Sequence, residues 1–383
     1  MEQEKKLLSG LRVVELATYV AAPTCAKLLA DLGAEVIKIE SPAGDPWRYG
    51  DEWPDRVCPR FEVCNSGKRS VVLNLKTPQG MEAMLKLLSR ADIFVTNSRR
   101  KALLRLGLDW DTLRAQFPTL IYAWLSGYGD KGPEADLPAF DAAAFWARSG
   151  YMADLIIQNG DSYPMNTPLG VGDTITGTML YASVLTAVIR RMQTGEGDFV
   201  TTSLFNAGIW AACGMVAVQQ HSAAPMPIRR EQCRPEAASY RCADGEWLLI
   251  CILEYDRYAP GFYEALGYPG LLEDPRFNTP AKRRAHSAQL LELAASAFAR
   301  RPSDEWLGIL SQRDIVCTRL EHFAGVPNIE QAWANDYLDR VVYDNGEEYI
   351  YPSPPFRLAS QPLSRLTRAP GLGADTQQVL STL

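Results

Sequence analysis

The sequence predicts an α/β protein with a Rossmann-like large domain and a smaller α+β domain. A chain of 383 residues is too long for one ordinary core, so two domains are expected. Over the first 125 residues, short β-branched runs alternate with helical patterns, which is typical of a parallel sheet covered on both faces. From Ser239 the pattern changes to hairpins and separate helices. We therefore expect the large domain at 1–224 and 326–383, and the small domain with its linkers at 225–325.

The strands of the large domain are expected where apolar, β-branched runs occur. These runs cover 12–16, 35–39, 70–75, 93–96, 120–125 and 199–203. Helical patterns lie between them, and the main ones cover 23–32, 174–192 and 204–219. Gly33 directly follows the first of these helices, where glycine commonly ends a helix in the left-handed conformation.

The small domain opens with a hairpin signal. Asp244-Gly245 lies between two β-rich runs, and this dipeptide favours a tight hairpin turn. Before it, the proline-rich stretch 222–235 is interpreted as a linker. Helical patterns follow at 256–267, 281–300 and 303–312. A second hairpin is expected at Asn345-Gly346, and a short terminal helix at 375–380.

The composition narrows the function classes. A net charge of −6 gives no reason to expect nucleic acid or an anionic membrane as a partner. The first residues show no signal peptide, and no apolar run approaches the ~18 residues that cross a bilayer. The cysteines form no C-x-x-C pair, which indicates reduced thiols and a cytoplasmic location. The histidines have no metal-ligand spacing, so no metal is expected.

The segment Gly170-Val-Gly-Asp173 places a carboxylate on a glycine-hinged turn at the start of a helix. Backbone N–H groups are unpaired at such a position and favour negative charge. Aspartate is also among the best residues for capping a helix. From these residues alone, Asp173 is either a helix cap or a nucleophile.

Two further features bear on the ligand. Glu40 ends the second strand, where a dinucleotide-binding protein would hold ribose, but the turn 18–23 lacks the glycines that pyrophosphate requires. We therefore interpret Glu40 as a structural or surface acid. The basic segment 97–101, with Arg105 one helical turn beyond Lys101, follows a strand at the sheet edge where such folds bind ligands. Basic residues at a helix start oppose its dipole, which favours an anion-binding role.

Several motifs occur in one order along the chain: Gly10-Leu-Arg-Val-Val-Glu-Leu-Ala, Leu29 to Pro42, Asn74-Leu-Lys-Thr-Pro, Ser126-Gly-Tyr-Gly, Gly172-Asp173 and Pro370-Gly-Leu-Gly. In this order and spacing the chain resembles the family III CoA-transferases over its whole length. The segments 330–338 and 138–141 resemble the branch that moves CoA between 2-hydroxy acids and enoic acids, such as phenyllactate and cinnamate or 2-hydroxyisocaproate and isocaprenoate.

The resemblance implies that Asp173 is the nucleophile, forming an acyl anhydride and then an aspartyl-CoA thioester. It implies coenzyme A or acyl-CoA as co-substrate, a carboxylic acid acceptor, and a homodimer of two interlocked chains. The implied CoA contacts are Val20, Ala21, Ser41, Leu73, Asn74, Leu75, Lys76, Asn97, Ser98, Arg99 and Arg105. The implied acyl-side residues are Pro138, Ala139, Phe140, Asp141 and Gly172.

Three departures from the family pattern refine the substrate class. Val20 occupies the place of a glutamine in formyl-CoA transferases, and 236–262 contains no run of glycines like their active-site flap. Phe140 replaces the histidine that related racemases use for proton transfer. These differences favour an apolar acyl pocket over a small diacid. The alternatives are an α-methylacyl-CoA racemase-like isomerase and a non-catalytic CoA-binding protein.

Overall fold

The computed structural model describes residues 6–49, 58–155, 167–221, 230–361 and 366–383. The chain divides into two compact units. The first unit comprises Met1–Tyr151, Asn166–His221 and Ile329–Leu383. The second unit comprises Met152–Met165 and Ser222–Asn328.

A six-stranded parallel sheet forms the centre of the first unit, which confirms the predicted α/β class. The strands are β1 (Arg12–Leu16), β2 (Glu35–Glu40), β3 (Arg69–Val72), β4 (Ile93–Thr96), β5 (Ile121–Ser126) and β6 (Phe199–Ser203). Their order across the sheet is β3-β2-β1-β4-β5-β6, and Val14 of β1 pairs with Ile37 on one side and Phe94 on the other. Because every pairing is parallel, all six carboxyl ends meet at one edge.

Helices cover the faces of this sheet, as expected for strands that are apolar throughout. The helices along this part of the chain are α1 (Ala21–Asp31), α2 (Pro59–Asn65), α3 (Pro78–Leu88), α4 (Arg100–Leu106), α5 (Trp110–Gln116), α6 (Tyr151–Asp154), α7 (Val171–Thr194), α8 (Leu204–Ala211) and α9 (Cys213–His221). Of these, α6 begins at Tyr151, where a segment of the first unit ends, and α9 has no buried residue. A π-helical segment covers Ala142–Ala147. The longest of these helices, α7, lies between Gly170 (φ 72°) and Gly195 (φ 76°), which adopt the left-handed conformation without steric cost.

Several expected elements of this unit shift by one to three residues at an end, and one expected helix is interrupted. The strand expected at 70–75 ends at Val72, because the N–H of Thr77 bonds to the carbonyl of Asn74 and Pro78 opens α3. The helix expected at 204–219 is interrupted at Ala212 and forms α8 and α9. The apolar periodicity is continuous across Ala212, so it carries no signal for this break.

The second unit contains a three-stranded antiparallel sheet in the order β7-β8-β9. Its elements are β7 (Ser239–Arg241), β8 (Trp247–Ile250), α10 (Tyr255–Ala265), α11 (Pro280–Ala285), α12 (Ser287–Phe298), α13 (Ser303–Ser311) and β9 (Cys317–Arg319). The predicted hairpin at Asp244-Gly245 is confirmed by β7 and β8. The helix expected at 281–300 divides at His286. The three residues of β9 are too few to show an alternating pattern, and sequence analysis missed them.

The chain then returns to the first unit. It forms α14 (Glu330–Ala334), β10 (Leu338–Val342), β11 (Glu348–Pro352) and α15 (Thr376–Leu380), and β10 with β11 confirms the hairpin at Asn345-Gly346. Short 3-10 turns occur at Pro46–Arg48, Arg230–Gln232, Pro235–Ala237, Leu271–Glu273 and Val326–Asn328. The start of α15 lies against β3, where Asp375 accepts the N–H of Ser70 at 2.9 Å and Thr376 accepts that of Val72 at 3.0 Å. This contact covers the outer strand of the sheet.

No helix in the described part of the chain is long and apolar enough to cross a membrane. The same residues contain no group of three or more histidine, cysteine, aspartate or glutamate side chains arranged to hold a metal ion.

Candidate active site

The first turn of α7 carries Asp173, and the structure shows that Asp173 is not the helix cap. The capping position is Gly170, which has no side chain, and Asp173 is the third residue of the helix. Instead, Asp141 occupies the helix start: a Cβ added to Gly172 would overlap both its carboxylate and the ring of Phe145. Glycine is therefore required at position 172, because only its backbone leaves room for this buried carboxylate.

Asp173 is half-buried, and its carboxylate makes no hydrogen bond or ion pair with any residue that the structure describes. Burial raises the pKa of Asp173 to about 7, and the nearby Asp141 carboxylate adds to this rise. An unpartnered carboxylate of this kind is more basic than an ordinary one. It is thereby better suited to attack an electrophile once it has lost its proton.

Asp141 is almost fully buried, with 8% of its surface exposed. Burial raises the pKa of Asp141 above its usual range, and the backbone N–H groups of Gly172, Gly170 and Asp173 oppose that rise. These N–H groups are among the unpaired donors at the start of α7. Asp141 therefore fills the space beside the helix start, where its Oδ1 has no hydrogen-bond partner among the described residues. Asp173 lies next to it in the first turn of α7.

The loop between β1 and α1 lies beside this helix start. Val20 is close to Gly170: its methyl groups lie 3.6 Å from where a Cβ of that glycine would be. The ring of Tyr19 makes an edge contact with Phe140, with ring centroids 5.5 Å apart. Phe140 and Leu169 are 64% and 67% exposed. The neighbourhood of Asp173 is thus mainly apolar on this side.

The predicted CoA residues all follow strand ends or lie on α4. They follow β1 (Val20, Ala21), β2 (Ser41), β3 (Leu73, Asn74, Leu75, Lys76) and β4 (Asn97, Ser98, Arg99), while Arg105 lies in the last turn of α4. The first four groups therefore lie at the carboxyl edge of the sheet. Asn97 also joins β4 to the β1–α1 loop, because its side-chain amide bonds to both the N–H (3.1 Å) and the carbonyl (2.8 Å) of Thr18.

These residues differ in what they offer a ligand. The side chains of Ser41, Asn74, Lys76, Arg99 and Arg105 are exposed at the surface. Val20, Ala21 and Leu73 are buried, so a ligand would meet their backbone and not their side chains.

The basic residues of α4 lie at both of its ends. Arg100 and Lys101 lie in the first turn, where a cation opposes the helix dipole, and Lys101 pairs with Asp136 at 3.1 Å. Arg105 lies in the last turn, where the dipole favours a cation. Its Nε donates to the carbonyl of Lys101 at 3.2 Å and leaves its other N–H groups at the surface. A bound anion would therefore offset the unfavourable charges of Arg100 and Lys101 at the helix start, whereas the dipole already favours Arg105.

Glu40 is confirmed as a structural acid. It is buried, its carboxylate binds both ends of the Arg48 guanidinium at 2.7 Å, and the hydroxyl of Ser70 donates to it at 2.7 Å. Sequence analysis missed Tyr19, although it selected Val20 and Ala21 directly after it. A tyrosine that must adopt a left-handed backbone carries no sequence signal.

The chain is similar to proteins of a known family. Residues 8–376 match the family described as CoA-transferase family III. The chain belongs to CoA-transferase family III. It is therefore an enzyme of the CoA-transferase class, as the motif order predicted.

Individual relatives agree with this assignment. The chain is 37% identical to the (R)-2-hydroxy-4-methylpentanoate CoA-transferase of Clostridioides difficile, over 98% of this chain and 95% of that protein. It is 34% identical to the cinnamoyl-CoA:phenyllactate CoA-transferase of Clostridium sporogenes, over 100% and 95%. The crystal structure of a CaiB/BaiF family protein from Brucella suis superimposes with a TM-score of 0.84 at 27% identity, covering 99% of this chain and 100% of that one. The family and its fold are thus shared over the whole chain.

Proposed function

We propose that this CoA-transferase moves CoA from an acyl- or enoyl-CoA to a 2-hydroxy carboxylic acid of the 2-hydroxyisocaproate or phenyllactate type. The observation that carries the mechanism is the half-buried carboxylate of Asp173 on a glycine-framed helix start, where no described residue bonds to it. The substrate class is supported by two relatives, one named for (R)-2-hydroxy-4-methylpentanoate and one for phenyllactate.

The transfer proceeds through two covalent intermediates on Asp173. A carboxylate oxygen attacks the donor thioester carbonyl, the C–S bond breaks, and the products are an aspartyl–acyl anhydride and CoA thiolate. The thiolate then attacks the aspartyl carbonyl, which releases the donor acid and leaves an aspartyl-CoA thioester. The acceptor carboxylate repeats these two steps in reverse order, so the acceptor leaves as a CoA thioester and Asp173 returns as a carboxylate.

The start of α7 suits the charge that develops in these steps. Each attack places negative charge on a carbonyl oxygen, and backbone N–H groups at a helix N-terminus stabilise such an oxyanion. Gly170 presents no side chain at this point, so the reacting carbonyl can approach the backbone there closely.

The apolar residues beside Asp173 favour a branched or aromatic acyl group. Tyr19 contacts Phe140, Val20 lies beside Gly170, and Leu169 is exposed one residue before that glycine. A leucine-like or phenyl side chain would bury apolar surface against these residues, which a small dicarboxylate would not.

The CoA moiety would lie along the carboxyl edge of the sheet. The loops after β1 to β4 would contact it through the residues assigned above, and Arg105 would bind one of its phosphates. Acyl-side contacts would come from Pro138 to Asp141 and from Gly172.

We also propose a homodimer of interlocked chains, with a large domain at 1–224 and 326–383 and a small domain at 225–325. Helices α8 and α9 support a dimer, because they expose several large apolar side chains. These are Trp210, Met215, Val216 and Val218, which are 40–67% exposed. Monomeric proteins rarely leave such a continuous apolar patch in water.

The covalent mechanism is tested by replacing Asp173. Asp173→Asn preserves the shape of the side chain but removes its nucleophilic oxygen, so transfer should fall by at least about a thousandfold while the fold is retained. Asp111→Asn is the control, because Asp111 is also a carboxylate in the first turn of a helix, but one exposed at the surface. Wild-type enzyme incubated with acyl-CoA should carry an adduct at Asp173 that borohydride or hydroxylamine traps for peptide mass spectrometry. Near-normal transfer by Asp173→Asn would show that the mechanism is wrong.

A further inference from the structure

Four charged side chains lie fully buried next to the β1–α1 loop. The Nζ of Lys38 is 2.9 Å from Glu15 Oε1 and 2.9 Å from Asp45 Oδ2, and the Nζ of Lys68 is 2.6 Å from Glu15 Oε2. None of the four side chains has exposed surface. We call Glu15, Lys38, Asp45 and Lys68 the ion cluster.

The ion cluster is complete within itself. Two positive charges balance two negative charges, and each ammonium group has three acceptors. The third acceptor of Lys38 is the carbonyl of Ala17 at 2.8 Å, and Lys68 also donates to the carbonyl of Pro23 at 2.9 Å and to Asn65 at 3.0 Å. Each ammonium group therefore has three oxygen atoms within 3.0 Å.

Such a cluster is not explained by stability alone. Burial opposes ionisation of Glu15, yet the two ammonium groups outweigh burial and hold the pKa of Glu15 below its ordinary value. Even so, removing four charges from water costs free energy that their mutual attraction offsets only in part, and apolar replacements of similar shape are often as stable. We call the atoms outside the ion cluster that bond to it its outer partners. If they all lie in one segment of the chain, a role in holding that segment in place explains the cluster better than stability does.

The outer partners of the ion cluster do share one location. Ala17, whose carbonyl accepts from Lys38, directly follows β1. The N–H of Tyr19 donates to Asp45 Oδ1 at 3.2 Å, and Pro23, whose carbonyl accepts from Lys68, lies in the first turn of α1. All three belong to the segment that runs from β1 into α1. Asn97 holds the same segment from its other side, through both backbone groups of Thr18.

This segment contains a strained residue. Tyr19 has φ of +65°, in the left-handed region where a residue with a Cβ is disfavoured. Such a conformation persists only where the surroundings determine it, and here Asp45 binds the N–H of Tyr19 itself. The conformation directs the ring of Tyr19 to Phe140 and Trp47, with centroid distances of 5.5 and 5.8 Å.

We infer that the ion cluster is a positioning device, in which Asp45 acts through Tyr19 to hold the β1–α1 loop against the start of α7. The loop would then present the backbone of Val20 and Ala21 to the CoA thioester, and the rings of Tyr19 and Phe140 to its acyl group. This inference rests on the proposed function, because it assumes that the thioester reacts at Asp173. In this arrangement Asp45 and Lys38 are positioning residues and contact no substrate.

A double-mutant cycle between Asp45 and Tyr19 tests the inference. Asp45→Ala removes the acceptor that fixes the N–H of Tyr19, and kcat/KM for acyl-CoA should fall about tenfold or more. Tyr19→Gly removes the strain, because glycine adopts the left-handed conformation freely. In the Tyr19→Gly background, Asp45→Ala should therefore change kcat/KM by less than about threefold.

A merely structural role predicts another pattern. If Asp45 only stabilised the fold, its replacement would have the same effect with Tyr19 and with Gly at position 19, and that result would overturn the inference. An unchanged kcat/KM in Asp45→Ala would overturn it too. Should Asp45→Ala fail to fold, Asp45→Leu, which is similar in shape and also lacks an acceptor, is placed in the same cycle. Glu35→Ala is the control, because Glu35 pairs with Arg12 and Arg69 at the opposite end of β2 and should leave kcat/KM unchanged.

The same variants are compared by calorimetric binding of CoA. If the wild-type enzyme binds CoA but transfers it to no 2-hydroxy acid, the proposed substrate class is wrong. The double-mutant cycle between Asp45 and Tyr19 can then still be evaluated from the Kd values for CoA. Weaker CoA binding in Asp45→Ala, restored by Tyr19→Gly, supports the inference in that case. Equal Kd values throughout would overturn it.

Discussion

Two aspartates, Asp141 and Asp173, lie close together at the start of α7 and have different surroundings. Asp141 is buried beside the first N–H groups of the helix, and it fills the space that a side chain at position 172 would need. Asp173 is left half-buried and unpartnered among the described residues, with a raised pKa. The result is one structural carboxylate and one that is poised to react. Different surroundings thus give two residues of the same type different roles.

The rate of transfer should depend on pH through Asp173. Because burial and then Asp141 raise the pKa of Asp173 to about 7, its protonated and unreactive form persists up to that pH. We expect kcat/KM for acyl-CoA to be lost as the pH falls through about 7 and to be constant above it. A pH profile of kcat/KM measures this directly.

Asp141→Asn is the variant that tests the cause of this raised pKa. It removes the charge beside Asp173 and keeps the side-chain shape, so the acidic limb of the profile should move to lower pH. An acidic limb that stayed in place, or moved to higher pH, would show that Asp141 does not raise the pKa of Asp173.

At the scale of secondary structure, the site depends on how closely α1 approaches α7. Gly177 permits this approach, because a Cβ at that position would overlap the carbonyl oxygen of Ala21 and lie 2.8 Å from the Cβ of Thr24. The β1–α1 loop that begins α1 is therefore held near the first turn of α7 by helix packing as well as by side chains.

Gly177→Ala should destabilise the protein, although alanine has the higher helix propensity. The added methyl group meets backbone, which cannot move aside, and overpacking of this kind costs about 1–3 kcal/mol. Gly308→Ala is the control: a Cβ on Gly308 in α13 meets nothing within 4 Å, so it should be neutral or stabilise by about 0.5–1 kcal/mol. Unfolding in urea measures both, and equal stability of the two variants would contradict the close approach.

The proposed phosphate contact, Arg105, lies in the last turn of α4. Arg105→Ala should raise KM for acyl-CoA about ten- to a hundredfold with little change in kcat, because a phosphate is bound equally in the ground and transition states. The matched control is Arg313→Ala, since Arg313 is also exposed and donates to the carbonyl four residues before it, at 3.2 Å. An unchanged KM in Arg105→Ala would mean that this arginine only faces solvent.

At the scale of the whole molecule, assembly determines whether the apolar face of α8 and α9 is covered. We expect the enzyme to sediment as a dimer at micromolar concentration, and Val218→Asp to weaken the dimer by placing a charge among apolar side chains. Leu7→Asp is the matched control, because Leu7 is 57% exposed and Val218 is 54% exposed. A wild-type enzyme that is monomeric and fully active would contradict the proposed assembly.

The sequence by itself determined the order of the elements and the family. Apolar strand runs, glycines at helix ends and the Asp244-Gly245 turn act over a few residues, so β4 and β6 have the predicted bounds and both hairpins form as expected. Motifs also marked Asp173, because a carboxylate framed by glycines at a helix start is a local pattern. Local turn signals were therefore accurate, whereas local apolar periodicity missed the helix breaks at Ala212 and His286.

The tertiary structure alone decided which groups surround Asp173. Asp141 is far from Asp173 in sequence, and no periodicity shows that it occupies the start of α7. The left-handed Tyr19 and the ion cluster that binds it depend on residues from β1, β2 and the segments that follow. Their charges are tolerable only because the fold brings opposite charges and backbone acceptors together. A local pattern thus marks the proposed nucleophile, and long-range packing sets its pKa and its neighbours.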